Sequence, residues 1–363
     1  MRILLWYWGR RGGGAQFTLG LARALARRPG IRLSLSVSAQ GELLDGFHAV
    51  GAPIDIVETY RGLGGFATGL LRVPGLARRL VAQAGAADIV ISGMTHVWTP
   101  LVAPALARAG VAFVPVVHDA APHPGDPALF WDWRLQRELG AARAAVALSD
   151  PVAATLAARA PALPLIRMAL PALLADAPTA APTVAAGPGP RLLFFGRFRA
   201  YKGLDLLRDA FRLFQAAHPG ATLRVVGEGD AEACAPGLGA VPGVTVESRW
   251  VAEAEIPALL AAADAVVLPY REASQSGIAP QALAMGVPLV ATPVGGLVAQ
   301  ARPGAGGILA EAVEAGALAA ALSRLVEPGA LERLRAEALV AGRAAADWDG
   351  ETTRLIEGLS RLR

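Results

Sequence analysis

Short apolar runs and amphipathic stretches take turns along the whole chain. In the first half RILLWYW, IRLSLSVS, ADIVISG, VAFVPVV and AAVALS are apolar with few interruptions, the pattern of strands buried on both faces. Between them AQFTLGLARALARR, WTPLVAPALARAG and DPVAATLAARA repeat apolar positions at helical spacing. The second half repeats the theme, with RLLFFGR, ATLRVVGEG, VTVESRWV, DAVVLPY and PLVATPV as strands. Its helices are LDLLRDAFRLFQAAH, EIPALLAAA and APQALAMG. Buried strands separated by helices predict parallel α/β sheets, and two such sets predict two Rossmann-like domains. PALLADAPTAAPTVAAGPGPR, dense in Pro, Ala and Gly and without periodicity, reads as a linker. The expected division is a first domain over 1–170, a linker over 171–190 and a second domain over 191–345. A last helix over 346–363 is expected to open on an Asp cap and to pack back on the first domain.

Composition narrows the class. The 363 residues are 54 % hydrophobic and 18 % charged, enough for two packed domains and incompatible with global disorder. No apolar run reaches the roughly 18 residues of a spanning helix. The N-terminus turns basic after its apolar run, which suits a first strand better than a signal peptide. The single cysteine, Cys234, admits no internal disulfide, and no Cys/His cluster suits zinc, so a cytoplasmic chain is expected. Residues 1–165 hold 16 arginines against 10 acidic residues. That excess, with Trp6, Trp8, Trp131 and Trp133, suits peripheral contact with an anionic membrane surface. Nucleic acid is the weakest partner, because no basic stripe carries interleaved aromatics.

Candidate chemistry gathers at the ends of the expected strands, where α/β sheets bind ligands. Gly12, Gly13 and Gly14 lie between the first strand and its helix, where free N–H groups suit a phosphate, although a plain βα turn would look the same. His118 and Asp119 follow the strand VAFVPVV, and His123 lies in the polar loop after it. Arg197 and Lys202 flank the turn after RLLFF. Glu272, Ser274, Gln275, Ser276 and Gly277 lead into a helix starting near Ile278. Lys202 is the only lysine; every other basic residue is arginine. A compact ammonium makes point-charge contacts with phosphate that a planar guanidinium cannot.

Taken together, FFGRFRAYKGLDLLRDAF, LRVVGEGD, VVHD and the block from PYRE to VATPVGG resemble the retaining glycosyltransferases of family 4, with the GT-B fold. The resemblance covers nearly the whole chain. HDAAPHPGD and the QSG segment look like the branch that assembles bacterial exopolysaccharide and lipopolysaccharide. It implies two Rossmann-like domains facing across a cleft, and a nucleoside diphosphate (NDP) sugar donor whose diphosphate meets Arg197 and Lys202. It places His118 beside the donor sugar and the Gly12–Gly14 loop under the diphosphate and the acceptor. Glu228 falls on the donor side, with backbone N–H groups of Ser276, Gly277 and Ile278 facing phosphate or sugar. Gly12, Asp119 and His123 fall on the acceptor side. The acceptor would be a glycan, free or linked to polyprenyl diphosphate, reached at the inner face of the cytoplasmic membrane.

One departure matters. The family carries two glutamates separated by seven residues in this block; here the second is Gln281, and Glu272 stands one residue early. Gln281 would hold the ribose through its amide, and Glu272 a sugar hydroxyl. The resemblance also implies front-face attack by the acceptor hydroxyl with retention, and no metal or other cofactor, the two cations stabilising the departing diphosphate. Two further readings stay open: an NDP-sugar epimerase on the same fold, and a non-catalytic partner, suggested by Gln281. A phosphorylase would need a lysine for pyridoxal phosphate, and the single lysine is already assigned.

Overall fold

In the computed structural model, which describes residues 1–122, 124, 128–173 and 188–362, the buried apolar runs form two parallel sheets. The first holds β1 (Arg2–Tyr7), β2 (Arg32–Ser38), β3 (Ile54–Val57), β4 (Ile89–Ser92), β5 (Phe113–Val117), β6 (Ala145–Ala147) and β7 (Leu165–Arg167), in the order β3-β2-β1-β4-β5-β6-β7. The second holds β8 (Arg191–Phe195), β9 (Thr222–Gly227), β10 (Val244–Ser248), β11 (Ala265–Leu268), β12 (Leu289–Ala291) and β13 (Gly307–Leu309), in the order β10-β9-β8-β11-β12-β13. Strands β4, β5 and β11 are buried at every position, because helices cover both faces. In each sheet the chain moves outward, returns, and continues on the other side of its first strand. The order thus reverses between β1 and β4 and between β8 and β11, and these switch points are where such sheets bind ligands.

The chain divides into two compact units, one of residues 1–122, 128–173 and 347–362, the other of residues 188–346. His123 and residues 174–187, which include most of the expected linker, lie outside the described residues. The last helix, Trp348–Ser360, starts at Asp347, whose Oδ1 accepts from Gly350 N at 2.8 Å. It belongs to the first unit: Leu355 and Leu359 join the core around Ile3, Phe17 and Val146. Its Trp348 indole donates to Ala172 O at 3.0 Å, and Glu351 accepts from Ala169 N at 2.9 Å.

Two features of the packing bear on function. Trp6, Trp8 and Trp131 are buried, so of the four tryptophans grouped above only Trp133, 39 % exposed, remains at the surface. No helix among the described residues is long and apolar enough to cross a membrane.

At the foot of the second sheet Asp264, just before β11, joins two arginines. Its carboxylate accepts from Arg191 Nη2 at 3.0 Å and from Arg335 Nη2 at 2.7 Å, and Asp264 and Arg335 are both buried. Losing the shared carboxylate would leave a buried guanidinium beside a second cation. Asp264→Ala is therefore expected to cost about 3–5 kcal/mol of stability. Denaturant unfolding checks this; a midpoint equal to wild type would contradict the pairing.

Candidate functional site

The turn GRFRAYKGL leads from β8 into the helix Leu204–Ala217, a helix whose Leu204, Leu207, Phe211 and Phe214 recur at the spacing of one buried face. Lys202 closes a short 3-10 turn, and Gly203 follows in the left-handed region at φ 68°. A Cβ on Gly203 would lie 2.0 Å from the carbonyl oxygen of Pro269, so the turn can approach the end of β11 only with glycine at this position. Arg271 N donates to Tyr201 O at 2.8 Å and ties the two loops together.

This approach sets Lys202 Nζ 3.7 Å from the ring centre of Tyr270 and 5.0 Å from that of Tyr201. Tyr270 is buried, and its hydroxyl lies 3.1 Å from Ser276 Oγ. Burial pushes its pKa up to about 12, against the Ser276 hydrogen bond, so the phenol stays neutral and offers its π-face to the ammonium. The QSG turn is held from behind: Ser276 N donates to Gln300 Oε1 at 2.8 Å, and Gln300 Nε2 donates to Ser276 O at 3.0 Å. Of the three N–H groups expected to face a donor, that of Ser276 is therefore already engaged. The VATPVGG block supports the same turn, since a Cβ on Gly295 would lie 1.8 Å from Ala273 O.

Gln281 is buried in the helix Ile278–Ala284. Its Nε2 donates to Gly277 O at 3.1 Å, and its Oε1 has no partner among the described residues. A buried acceptor of that kind suits one hydroxyl, where a carboxylate would take two. Arg197 and Glu272 are exposed, and Glu228 O accepts from Phe198 N at 2.9 Å beside the Arg197 turn. The structure thus brings Lys202, Tyr270 and Ser276 into contact at the β8/β11 switch point.

In the first unit Gly12 precedes the helix Gly13–Ala26, and its N–H donates to Glu42 Oε1 at 2.7 Å. The expectation of a free phosphate-facing N–H at Gly12 is corrected: a carboxylate of this chain occupies it. Gly14 is buried, and a Cβ there would lie 2.6 Å from Met94 Sδ. His118 follows β5, and its Nδ1 lies 2.9 Å from Asp119 Oδ2, with both side chains about a quarter exposed. Asp119 thereby orients the imidazole. His123 lies outside the described residues.

Two buried groups, His96 after β4 and Glu138 on the helix Ala128–Ala141 after β5, escape a reading of motifs alone. Glu138, 1 % exposed, accepts from Thr95 Oγ1 at 2.8 Å through Oε2, while its Oε1 has no partner among the described residues. Burial pushes its pKa up to about 7, against the Arg134 charge and the Thr95 hydrogen bond. His96 is buried with Nδ1 accepting from Trp98 N at 3.3 Å, and burial, aided by the Arg10 charge, pushes its pKa down to about 3. A signal for Glu138 exists in the sequence. It stands seven residues after Trp131 and three after Leu135, on the apolar face of its helix.

The chain matches two family models in succession, Glycosyltransferase Family 4 over residues 11–166 and Glycosyl transferases group 1 over residues 189–328. Together these ranges take in most of the chain. It belongs to this glycosyltransferase family. Among curated proteins it is 32 % identical over 178 residues to a glycogen synthase of Mycobacterium tuberculosis, covering 48 % of this chain and 42 % of that one. It is 34 % identical over 179 residues to a D-inositol 3-phosphate glycosyltransferase of Thermomonospora curvata, covering 46 % and 41 %. The matches span less than half the length of these relatives. Anabaena HepE, solved in complex with UDP and glucose, shares the fold at TM-score 0.76 and 19 % identity over 99 % of both chains. Sucrose-phosphate synthase from Thermosynechococcus elongatus does so at 0.77 and 18 % identity, over 99 % of this chain and 98 % of that one. With its two parallel sheets, this glycosyltransferase-family chain has the GT-B fold.

Glu138 and His96 give the family-4 region a pH signature. Folded Glu138 keeps its proton to about pH 7, whereas an unfolded glutamic acid releases it near its ordinary 4.5. Between those values the unfolded chain binds fewer protons, so this group makes stability fall as pH rises. His96, neutral when folded above about pH 3 and ordinarily titrating at 6.5, acts in the opposite direction. Glu138→Gln removes only the first slope. Thermal midpoints at about pH 5 and about pH 7 should show the variant losing less stability on alkalinisation than wild type. Equal changes in both would contradict the buried, protonated carboxyl.

Proposed function

We propose that the chain transfers a hexosyl group from an NDP-sugar to a hydroxyl of a glycan or polyprenyl-diphosphate-linked glycan, with retention of configuration, in cell-surface polysaccharide assembly. The observation that carries this reading is the ammonium of Lys202 seated on the buried Tyr270 ring, beside Ser276, at the β8/β11 switch point. An immobilised cation there suits the diphosphate of a nucleotide. The UDP, UDP-glucose and glucose bound by HepE support a nucleotide-sugar donor for a chain of the same fold.

The chemistry follows from charge. As the bond between the anomeric carbon and the phosphate oxygen breaks, negative charge grows on the diphosphate and positive charge on the sugar. Lys202 and Arg197 stabilise the first, and this reading needs no metal ion. Gln281 Oε1 takes a ribose hydroxyl, and Glu272 a hydroxyl of the sugar. His118, oriented by Asp119, holds the transferred sugar. The acceptor oxygen bonds to the anomeric carbon on the face the diphosphate leaves, and its proton passes to the departing phosphate oxygen. Gly13 and Gly14 belong to the donor-side loop, Gly12 and Asp119 to the acceptor side. The enzyme works at the cytoplasmic side of the membrane, which it touches peripherally.

Incubation with a panel of NDP-sugars tests the reading. Slow release of NDP supports it; an altered but intact NDP-sugar would point to an epimerase, and no binding to a non-catalytic partner. Lys202→Ala and Arg197→Ala should each lower turnover by about 10²-fold or more. Lys202→Arg should not restore turnover fully, because the larger planar guanidinium differs in shape from the compact ammonium and does not place its charge at the same point. His118→Ala should lower kcat while leaving NDP affinity nearly unchanged. Equal loss of NDP binding in His118→Ala and Lys202→Ala would refute the role given to His118.

A further inference from the structure

Residues 59–87 contain four arginines, Arg61, Arg72, Arg78 and Arg79, and no acidic residue. They form the helix Gly62–Gly69, the 3-10 turn Leu70–Arg72 and the helix Val73–Ala84. The last of these packs Val73, Ala77 and Leu80 with Val102, Ala103 and Leu106 of the helix Thr99–Arg108 over the first sheet. Two features on the outer side are unusual for a surface facing water. Leu71 is 86 % exposed beside Leu70 at 41 %. Between the two helices runs an open groove of about 870 Å³, lined by Leu70, Pro74, Val81 and Leu101, with Arg78 and Arg108 also in its wall.

We propose that this face docks on a bilayer rich in acidic phospholipid, with Leu70 and Leu71 entering the interface. Arg72, Arg78 and Arg108 would meet headgroup phosphates, and the groove would shelter an acyl or isoprenoid chain. The charge decides the occupant. An apolar groove rimmed by guanidinium groups, on a segment without acidic residues, complements a surface that is apolar beneath and anionic above. The inference rests on the membrane contact in the proposed function and names the residues that make it. These differ from the tryptophans, three of which lie in the core.

The test uses the full chain, without donor or acceptor, sedimented with phosphatidylcholine vesicles with and without phosphatidylglycerol. Wild type should bind only the acidic vesicles, and less as salt rises. Each arginine near an acidic surface changes partitioning about fivefold, so Arg78→Glu with Arg108→Glu should weaken binding by more than about 25-fold. Leu71→Asp, at a position open to solvent, should weaken it as well while keeping the wild-type thermal midpoint, so the test survives if the double variant fails to fold. Arg333→Glu, on the second unit, should bind as wild type does. Wild-type binding in both face variants would overturn the proposal, as would absence of wild-type binding to acidic vesicles. A dimer that Leu71→Asp dissociates would also overturn it, making the face a contact between copies. NDP release from the donor should remain at the wild-type rate in Leu71→Asp. Loss of vesicle binding with retained release refers to this face alone, whereas absence of release in wild type refers to the transfer reading.

Discussion

An ammonium resting on a buried, neutral phenol ring is the contact on which the second unit's site depends. The ring face attracts and positions the cation at the end of the second sheet, where such folds bind ligands. The arrangement requires close packing of three loops. Gly203 lets the turn after β8 approach the Pro269 carbonyl, Gly295 lets the VATPVGG loop approach Ala273, and Gln300 braces Ser276, the partner of the Tyr270 hydroxyl. The glycines of both motifs are therefore explained by backbone approach to neighbouring backbone. No ligand is needed to account for them.

The first unit follows another logic. Its strand-end region is aromatic and partly desolvated: Tyr60 lies 5.2 Å from Trp98 and 5.7 Å from His96, and the Arg10 guanidinium stands 4.9 Å over Tyr60. Glu138 and His96 are displaced by burial in opposite directions, so both are neutral near pH 6. A region built from two neutral titratable groups, aromatics, the Arg10 guanidinium and an occupied Gly12 N–H differs from the lysine seat of the second unit. The curated relatives, a glycogen synthase and a D-inositol 3-phosphate glycosyltransferase, differ from each other in name by acceptor. Acceptor choice is a property of such local chemistry and not of the fold.

Much of the architecture was legible as continuous apolar runs, because a parallel strand covered on both faces writes its burial at every position. The omissions have a physical cause. Strands β3, β7 and β13 are three or four residues long at or near sheet edges, and β3 is only partly buried, so no run marks them. Lys202 was legible as a compositional exception, but its seat was not: Tyr270 lies 68 residues away and reads as the end of a strand. Glu42 on the Gly12 N–H is a pairing across 30 residues that no spacing rule anticipates. Glu138 belongs to no motif, and only its spacing from Trp131 and Leu135 marks it as facing the core. The membrane-facing reading of Trp6, Trp8 and Trp131 failed because composition cannot separate core aromatics from surface ones.

The single lysine makes the central claim directly observable. Growth on lysine labelled with ¹³C and ¹⁵N places one labelled side chain in the protein, that of Lys202. Its Hε–Cε resonance should lie upfield of a solvated lysine through the Tyr270 ring current, and it should move in a saturable way on titration with a nucleoside diphosphate. A resonance at the position of free lysine, or one that stays fixed while the nucleotide demonstrably binds, would contradict the account.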